Sequence, residues 1–345
     1  MPVTLKEIAE LAGVSESTVS RVLHNSRLIS EKTREAVLEA ARKLNYQTRH
    51  TLLVGVVEPK ITNALYSEIV TAIEDQVYQA GYAMILCNSD FDLEREQDQV
   101  SFLLRLGGVQ GMILIPIDTE APHVRALAYQ SLPTVLLGTN STAGIDQINV
   151  DAAQGAYTMT RHLLELGHRR IGLLIGPDYI LACRERLKGY CRALAEYHIP
   201  FEKTLVAAGE VDERGGVQAI NQLLPLIPRQ ISAVLSISDS MTLGALFRLR
   251  EVGIRVPEDL SLASCDDIPL ASQTQPALTT LWQPKQELGA LAAKLLLKQI
   301  ETRAERGENW KTLYPFQSVT FQTHIVVRES TRKQTLSQGA PASSS

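Results

Sequence analysis

The chain has 345 residues, 45% of them hydrophobic and 21% charged, with a formal net charge of −4. That is globular composition with apolar mass for a large core in two or three domains, and it excludes a globally basic field of the kind that grips nucleic acid along a whole chain. The cysteines Cys87, Cys183, Cys191 and Cys265 show no CxxC spacing and read as buried reduced thiols. With no signal peptide in MPVTLKEIAE and no run of about 18 apolar residues, a soluble cytoplasmic protein without membrane contact is expected.

The first 50 residues differ from the rest. They carry eight Lys or Arg against six Glu, about +2 on an acidic body. Thr4-Leu5-Lys6-Glu7 is a capping box that opens a helix with Leu5, Ile8, Ala9, Leu11 and Ala12 on its apolar side. Gly13 ends it in a left-handed turn. Ser15 then caps a second helix, whose inner face is Val19, Val22 and Leu23 and whose outer face is Ser17, Ser20, Arg21 and His24, with Glu16 at its start. Ser30 caps a third helix, with Val37, Leu38, Ala41 and Leu44 inward. Two short helices joined by a Gly turn, with a third behind them, predict a helix-turn-helix. An Arg that can fork onto guanine, beside hydroxyls that can bond bases or phosphates, suits a DNA major groove. A small helical interaction domain with an ordinary solvated face is the alternative left by pattern alone.

The stretch VTLKEIAELAGVSESTVSRVLHNSRLISEKTREAVLEAARKLNY, more than 40 residues without a gap, resembles the DNA-binding head of the lac repressor/gal repressor family. The resemblance implies that Glu16, Ser17 and Arg21 face base edges and that Thr4, Ser15, Thr18, Ser20, Ser30 and Thr33 lie near phosphates. His24 stands where the family usually has Asn. Glu16 repels phosphate but can accept from cytosine N4.

Beyond the head, short apolar runs alternate with helical segments: LLVGVV (52–57), YAMILC (82–87), GMILIP (111–116), TVLLG (134–138), RIGLLIG (170–176), AVLSIS (233–238) and SLASC (261–265). Repeated βα units predict parallel sheets covered on both faces, and so many strands predict two sheets, hence two lobes with a cleft. The fold class expected is α/β, an all-α helix-turn-helix head plus a two-lobed, doubly wound body. No GxSxG, HExxH, P-loop or GxGxxG motif occurs. Gly107-Gly108-Val109-Gln110-Gly111 precedes a strand and reads as a turn, and His168 in Gly167-His168-Arg169-Arg170 reads as structural. No enzyme, metal or cofactor is expected.

The likeness continues to Glu329-Ser330 through ITNALYSEIV, LLELGHRRIGLLIGP, RERLKGY, VPEDLSLASCDDIPL and LTTLWQP. It implies the fold of periplasmic sugar-binding proteins, crossed three times by the chain. The N-lobe would be about 52–154 and 285–315, and the C-lobe about 155–284 and 316–330. A tail, 331–345, is small and polar and is expected to be disordered. Asp90, Asp151, Arg186, Asp239 and Asp266 fall at strand ends facing the expected cleft, where carboxylates accept from ligand hydroxyls and Arg holds two oxygens. The resemblance gives effector contacts to Arg186 and Asp266 and places Asn63 and Tyr66 near the cleft mouth. Gly138-Thr139, where many members have Asp-Arg, and Ser238, where Asn is usual, weaken the inference of a common sugar.

After Tyr46 comes Gln47-Thr48-Arg49-His50-Thr51 and then the first strand. The family's Pro-Asn hinge helix, which pairs in a dimer and wedges Leu into the minor groove, is missing, and five residues form no stable helix. The expectation is a head (1–46), a short linker (47–51) and an effector-binding, dimerising body (52–330). The function expected is a homodimeric repressor on a palindromic operator, modulated by a small polar effector, a sugar or sugar derivative among the candidates. A cytoplasmic small-molecule-binding protein with weak or no control of DNA binding is the alternative.

Overall fold

The computed structural model describes residues 4–23, 29–44, 52–138, 141 and 144–334. His24 and the linker Gln47–Thr51 lie outside the described residues, as does 335–345. The chain divides into two units, Met1–Leu52 and Leu53–Ser345.

The first unit is three helices: α1 Leu5–Ala12, α2 Glu16–Leu23 and α3 Glu31–Lys43. The capping box forms, with the Thr4 amide donating to Glu7 Oε2 at 2.6 Å and the Glu7 amide donating to Thr4 Oγ1 at 3.4 Å. Gly13 ends α1 at φ +67°, a conformation that costs a residue with a Cβ. The Thr18 amide donates to Ser15 Oγ at 3.2 Å and the Thr33 amide to Ser30 Oγ at 3.3 Å, so both serines cap as read. Ile8, Ala9, Val19, Val22, Val37, Ala40 and Ala41 make the small core. Leu11 is a correction. At 100° per residue it falls about a third of a turn from Leu5, and it is 52% exposed.

The second unit begins with β1 Leu53–Glu58, α4 Ala64–Gln79, β2 Ala83–Asn88, α5 Leu93–Arg105, β3 Val109–Leu114, α6 Pro122–Ala126, β4 Thr134–Gly138 and β5 Asp146–Val150. It continues with α7 Ala152–Glu165, β6 Ile171–Ile175, α8 Leu181–Glu196, β7 Val206–Ala208, α9 Glu213–Leu223, β8 Ala233–Ser236, α10 Asp239–Glu251 and β9 Ser261–Ala263. The last elements are β10 Thr280–Trp282, α11 Lys285–Arg306, α12 Trp310–Leu313, β11 Ser318–Phe321 and β12 His324–Val326.

Two parallel sheets form. The N-lobe sheet has the order β11-β5-β4-β3-β1-β2, the C-lobe sheet the order β7-β6-β8-β9, and β10 pairs antiparallel with β12 between them. The inner strands β1, β3, β6 and β8 are almost wholly apolar because helices cover both faces. Helices pack in pairs, α4 on α11, α7 on α8 and α9 on α10. A Cβ on Gly189 of α8 would collide with the Ala153 carbonyl of α7, so that pair approaches backbone to backbone.

The chain crosses between lobes at Asp151, again between β10 and α11, and a third time between β11 and β12. The boundary taken near 316 is corrected by this last crossing. Ser318–Phe321 pairs in parallel with Gln147–Val150 and completes the N-lobe edge, so the chain returns only after Phe321. The tail also starts later than 331. The Gln334 amide donates to the Leu166 carbonyl at 2.8 Å, and the Arg332 carbonyl accepts from His168 Nε2 at 3.0 Å. His168 is 2% exposed and meets Ser232 Oγ at 2.8 Å through Nδ1, a structural role.

Candidate DNA-reading face and effector cleft

On the head, Val19 and Val22 turn α2 inward and leave Glu16, Ser17 and Arg21 exposed. Arg21 is exposed and makes no ion pair among the described residues, and a guanidinium there can fork onto an acceptor pair. Ser15 Oγ lies 2.8 Å from Ser17 Oγ and 2.9 Å from Thr18 Oγ1, and Ser30 Oγ 2.8 Å from Thr33 Oγ1. With Thr4, these hydroxyls collect at the N-terminal ends of the three helices. Backbone N–H groups and the positive ends of helix dipoles gather there too, an arrangement suited to phosphate. Ser20 is half-buried on α2.

In the body, strand ends and helices of both lobes surround a cavity of about 100 Å³. Of the seven effector residues read from sequence, Asn63, Tyr66, Asp151, Arg186 and Asp266 line it. Arg186, on α8, donates to the Ile237 carbonyl and, at 3.1 Å, to Asp266 Oδ1, which also accepts from Gln283 Nε2 at 2.8 Å. Asp266 is 1% exposed, and burial raises its carboxyl above the usual range while Arg186 works in the opposite direction. Its backbone sits at φ +115°, a strained position for a residue with a Cβ, held by the Asp266 amide donating to the Leu281 carbonyl at 2.9 Å. Asn63 caps α4, its Oδ1 accepting from the Leu65 amide at 3.0 Å, and Asp151 caps α7, accepting from the Gln154 amide at 2.8 Å. Tyr66 packs edge-on to Phe91, centroids 6.3 Å apart, and burial lifts its phenol far above the ordinary value.

Two sequence candidates do not line the cavity. Asp239 is fully buried behind it, accepting from Ser264 Oγ, the Ile268 amide at 2.8 Å and Thr280 Oγ1 at 2.8 Å. Its carboxylate organises the loop that carries Asp266, and burial pushes its pKa up to about 7. Asp90 is exposed and pairs with Lys60 at 2.6 Å; Lys60 also stands 4.0 Å from Asp212 of the other lobe. That cluster bridges the lobes at the rim.

Sequence reasoning missed the apolar walls, including Phe91, Ile115, Ile117, Leu137, Ile180 and Val211, and the polar Gln283. It also missed the contacts that hold the lobes together. Arg184 pairs with Asp118 at 2.7 Å, and Lys285 Nζ donates to the carbonyls of Asp266 and Asp267 at 3.1 and 2.7 Å. The one available signal was position, since Ile115 and Gln283 follow directly on β3 and β10 and Ile117, Phe91 and Val211 fall within three residues of a strand end.

Residues 4–49 match the family model for bacterial regulatory proteins of the lacI family, and residues 160–331 match a periplasmic binding protein-like domain. The HTH-type transcriptional repressor PurR of Photobacterium profundum is 33% identical over 311 residues, 87% of this chain and 92% of that protein. The chain belongs to the lacI family of bacterial regulatory proteins. As a lacI-family member it is a transcription regulator with a DNA-binding helix-turn-helix head and a periplasmic-binding-protein-like body. A lac repressor dimer bound to operator and the anti-inducer ONPF is similar at TM-score 0.75 and 29% identity, over 96% of this chain and 100% of that one. A complex of the transcriptional regulator CelR with cellobiose is similar at TM-score 0.70 and 31% identity, over 95% and 99%. Among the described residues no helix is long and apolar enough to cross a membrane.

Proposed function

We propose that this lacI-family chain is a homodimeric repressor whose grip on a palindromic operator responds to a small molecule held between its lobes. Glu16, Ser17 and Arg21 read base edges, while Thr4, Ser15, Thr18, Ser20, Ser30 and Thr33 fix the head on the phosphates. His24, at the end of the same face in sequence, is a further contact. Arg186 and Asp266 hold the effector, with Asn63, Tyr66 and Asp151 around it. Asp90 and Asp239 act at one remove, the first by bridging the rim and the second by shaping the Asp266 loop.

The observation that carries this reading is the exposed Arg21 on the outer face of α2, without an ion pair among the described residues, in a chain whose relatives include the repressor PurR and the operator-bound lac repressor. A two-fold protein fits a two-fold site.

The test is selection of random duplexes by the purified full chain, followed by Arg21→Ala on the best sequence. The variant should lose about 1–3 kcal/mol there and much less on random DNA. Equal loss on both would make Arg21 a phosphate contact and sink its reading role.

A further inference from the structure

The cavity between the lobes is unlike a site for a polyhydroxylated molecule. A sugar presents a hydroxyl on nearly every carbon, and each asks for a donor or acceptor. Here most of the wall is hydrocarbon: Phe91, Ile115, Ile117, Leu137, Ile180 and Val211 face the same space. An unpaired hydroxyl against such a wall weakens binding roughly tenfold or more. The polar lining is limited to Asn63, Tyr66, Asp151, Arg186, Ser238, Asp266 and Gln283, of which Asn63 and Asp151 already cap helices and Arg186, Asp266 and Gln283 already bond one another. Arg186 uses two of its five N–H donors on protein, Gln283 approaches Asp266 from the side, and both Arg186 and Asp266 act electrostatically on Tyr66. Asp266 Oδ1 accepts twice, and the Asp239 amide also acts on this carboxylate, whose oxygens keep lone pairs for a donor in the cavity.

Charge narrows the class further. Asp266 already balances Arg186, and the remaining lining charge is the Asp151 carboxylate. An anionic ligand meets no unpaired cation among the lining residues. Size narrows it again. About 100 Å³ is of the order of the roughly 150 Å³ apolar cavity that takes one benzene ring.

We infer that the effector is an uncharged, single-ring molecule, mostly apolar, with one edge that both donates and accepts hydrogen bonds. The acceptor on that edge meets the Arg186 N–H groups and the donor meets Asp266, while the ring lies against the isoleucine and phenylalanine wall. This inference rests on the cleft being the effector site, and it replaces the polar ligand expected from the sequence.

Three probes of similar size separate the classes: benzamide, which is neutral with a donor–acceptor edge; benzoate, its anionic isostere; and ribose, a polyol. Thermal shift of the full chain is measured with each at millimolar concentration, on the parent, Arg186→Leu and Val211→Thr. Benzamide should raise the parent melting temperature more than either other probe. It should lose the effect in Arg186→Leu and bind roughly tenfold more weakly to Val211→Thr, a change that keeps the shape and replaces one methyl of the wall with a hydroxyl. If ribose or benzoate outdoes benzamide and needs Arg186, the class is overturned while the cleft stands as the effector site. If benzamide shifts parent and both variants equally, it binds elsewhere and the inference falls. No shift with any probe also overturns it. Should Arg186→Leu fail to fold, the Val211→Thr comparison decides alone.

Discussion

The Leu181 amide, at the start of α8 in the C-lobe, donates to the Ile117 carbonyl of the N-lobe at 3.0 Å. Ile117 is itself held from behind, its amide donating at 2.9 Å to Glu96, which pairs with His123 at 2.8 Å. This backbone bond closes one side of the cleft, and the Arg184–Asp118 ion pair sits beside it. Asp118→Ala should therefore loosen closure with little change in global stability. The pair is partly exposed and worth under about 1 kcal/mol. Hydrogen exchange should show the Leu181 amide opening several-fold faster, with the melting temperature nearly constant. An unchanged Leu181 amide would mean the ion pair does not guard the bond.

The Arg186–Asp266 pair should behave as a buried pair. Arg186→Leu leaves a 1%-exposed carboxylate without its main counter-charge and should cost about 3–5 kcal/mol in urea unfolding. Adding Asp266→Asn removes that charge and should recover part of the loss. A single variant costing less than about 1 kcal/mol would show that water reaches Asp266 freely.

Glu58 gives a pH signature. It is 1% exposed, its Oε1 has no hydrogen-bond partner among the described residues, and burial raises its pKa from 4.5 to about 7. Between those values the folded state keeps a proton that the unfolded state has released. Stability from this group is thus full below pH 4.5 and is lost as pH rises through about 7. Glu58→Gln, which can still accept the Lys60 amide, should gain on the parent by about 1–3 kcal/mol between pH 5 and pH 8. A stability difference independent of pH would place the Glu58 carboxyl in water.

The fold was legible where strands are buried on both faces. Leu52–Val57, Gly111–Pro116 and Arg170–Gly176 announce themselves as unbroken apolar runs around β1, β3 and β6. β5, with Asp146, Gln147 and Asn149 among five residues, has no such run, and its neighbour β11 is an edge strand of alternating exposure. β7 and β10 are three residues each, too short for any period to show. In the cleft, Arg186, expected at a strand end, sits on the second turn of α8 and was readable only through the family resemblance, whereas Asp266 was readable as a charge just past a strand end. Asp239 gave the same signal, because sequence marks the position of a carboxylate but not the direction in which its loop turns it.

The linker predicts how DNA is held. Gln47–Thr51 extended reach about 17 Å and contain no leucine to wedge into the minor groove. The operator should be bent little, since bending by 40–90° costs roughly 1–6 kcal/mol and nothing in that segment offsets it. Coupling between effector and operator should fall below the usual range of about 1–3 kcal/mol. Gel phasing gives the bend, and operator titration with and without effector gives the coupling. A sharp central kink would show that another segment does the work of a hinge helix.

The return of β11 to the N-lobe sheet has a consequence for the order in which the molecule is born. The head's core is complete once Leu44 has left the ribosome. The N-lobe lacks an edge strand until Phe321 emerges, and the C-lobe waits for Ser330, whose backbone and side chain bind Leu262 and Thr279. At about 5–20 residues per second, the interval from Leu44 to Phe321 is roughly 14–55 s. For that time each nascent chain carries a finished reader and an unfinished sensor.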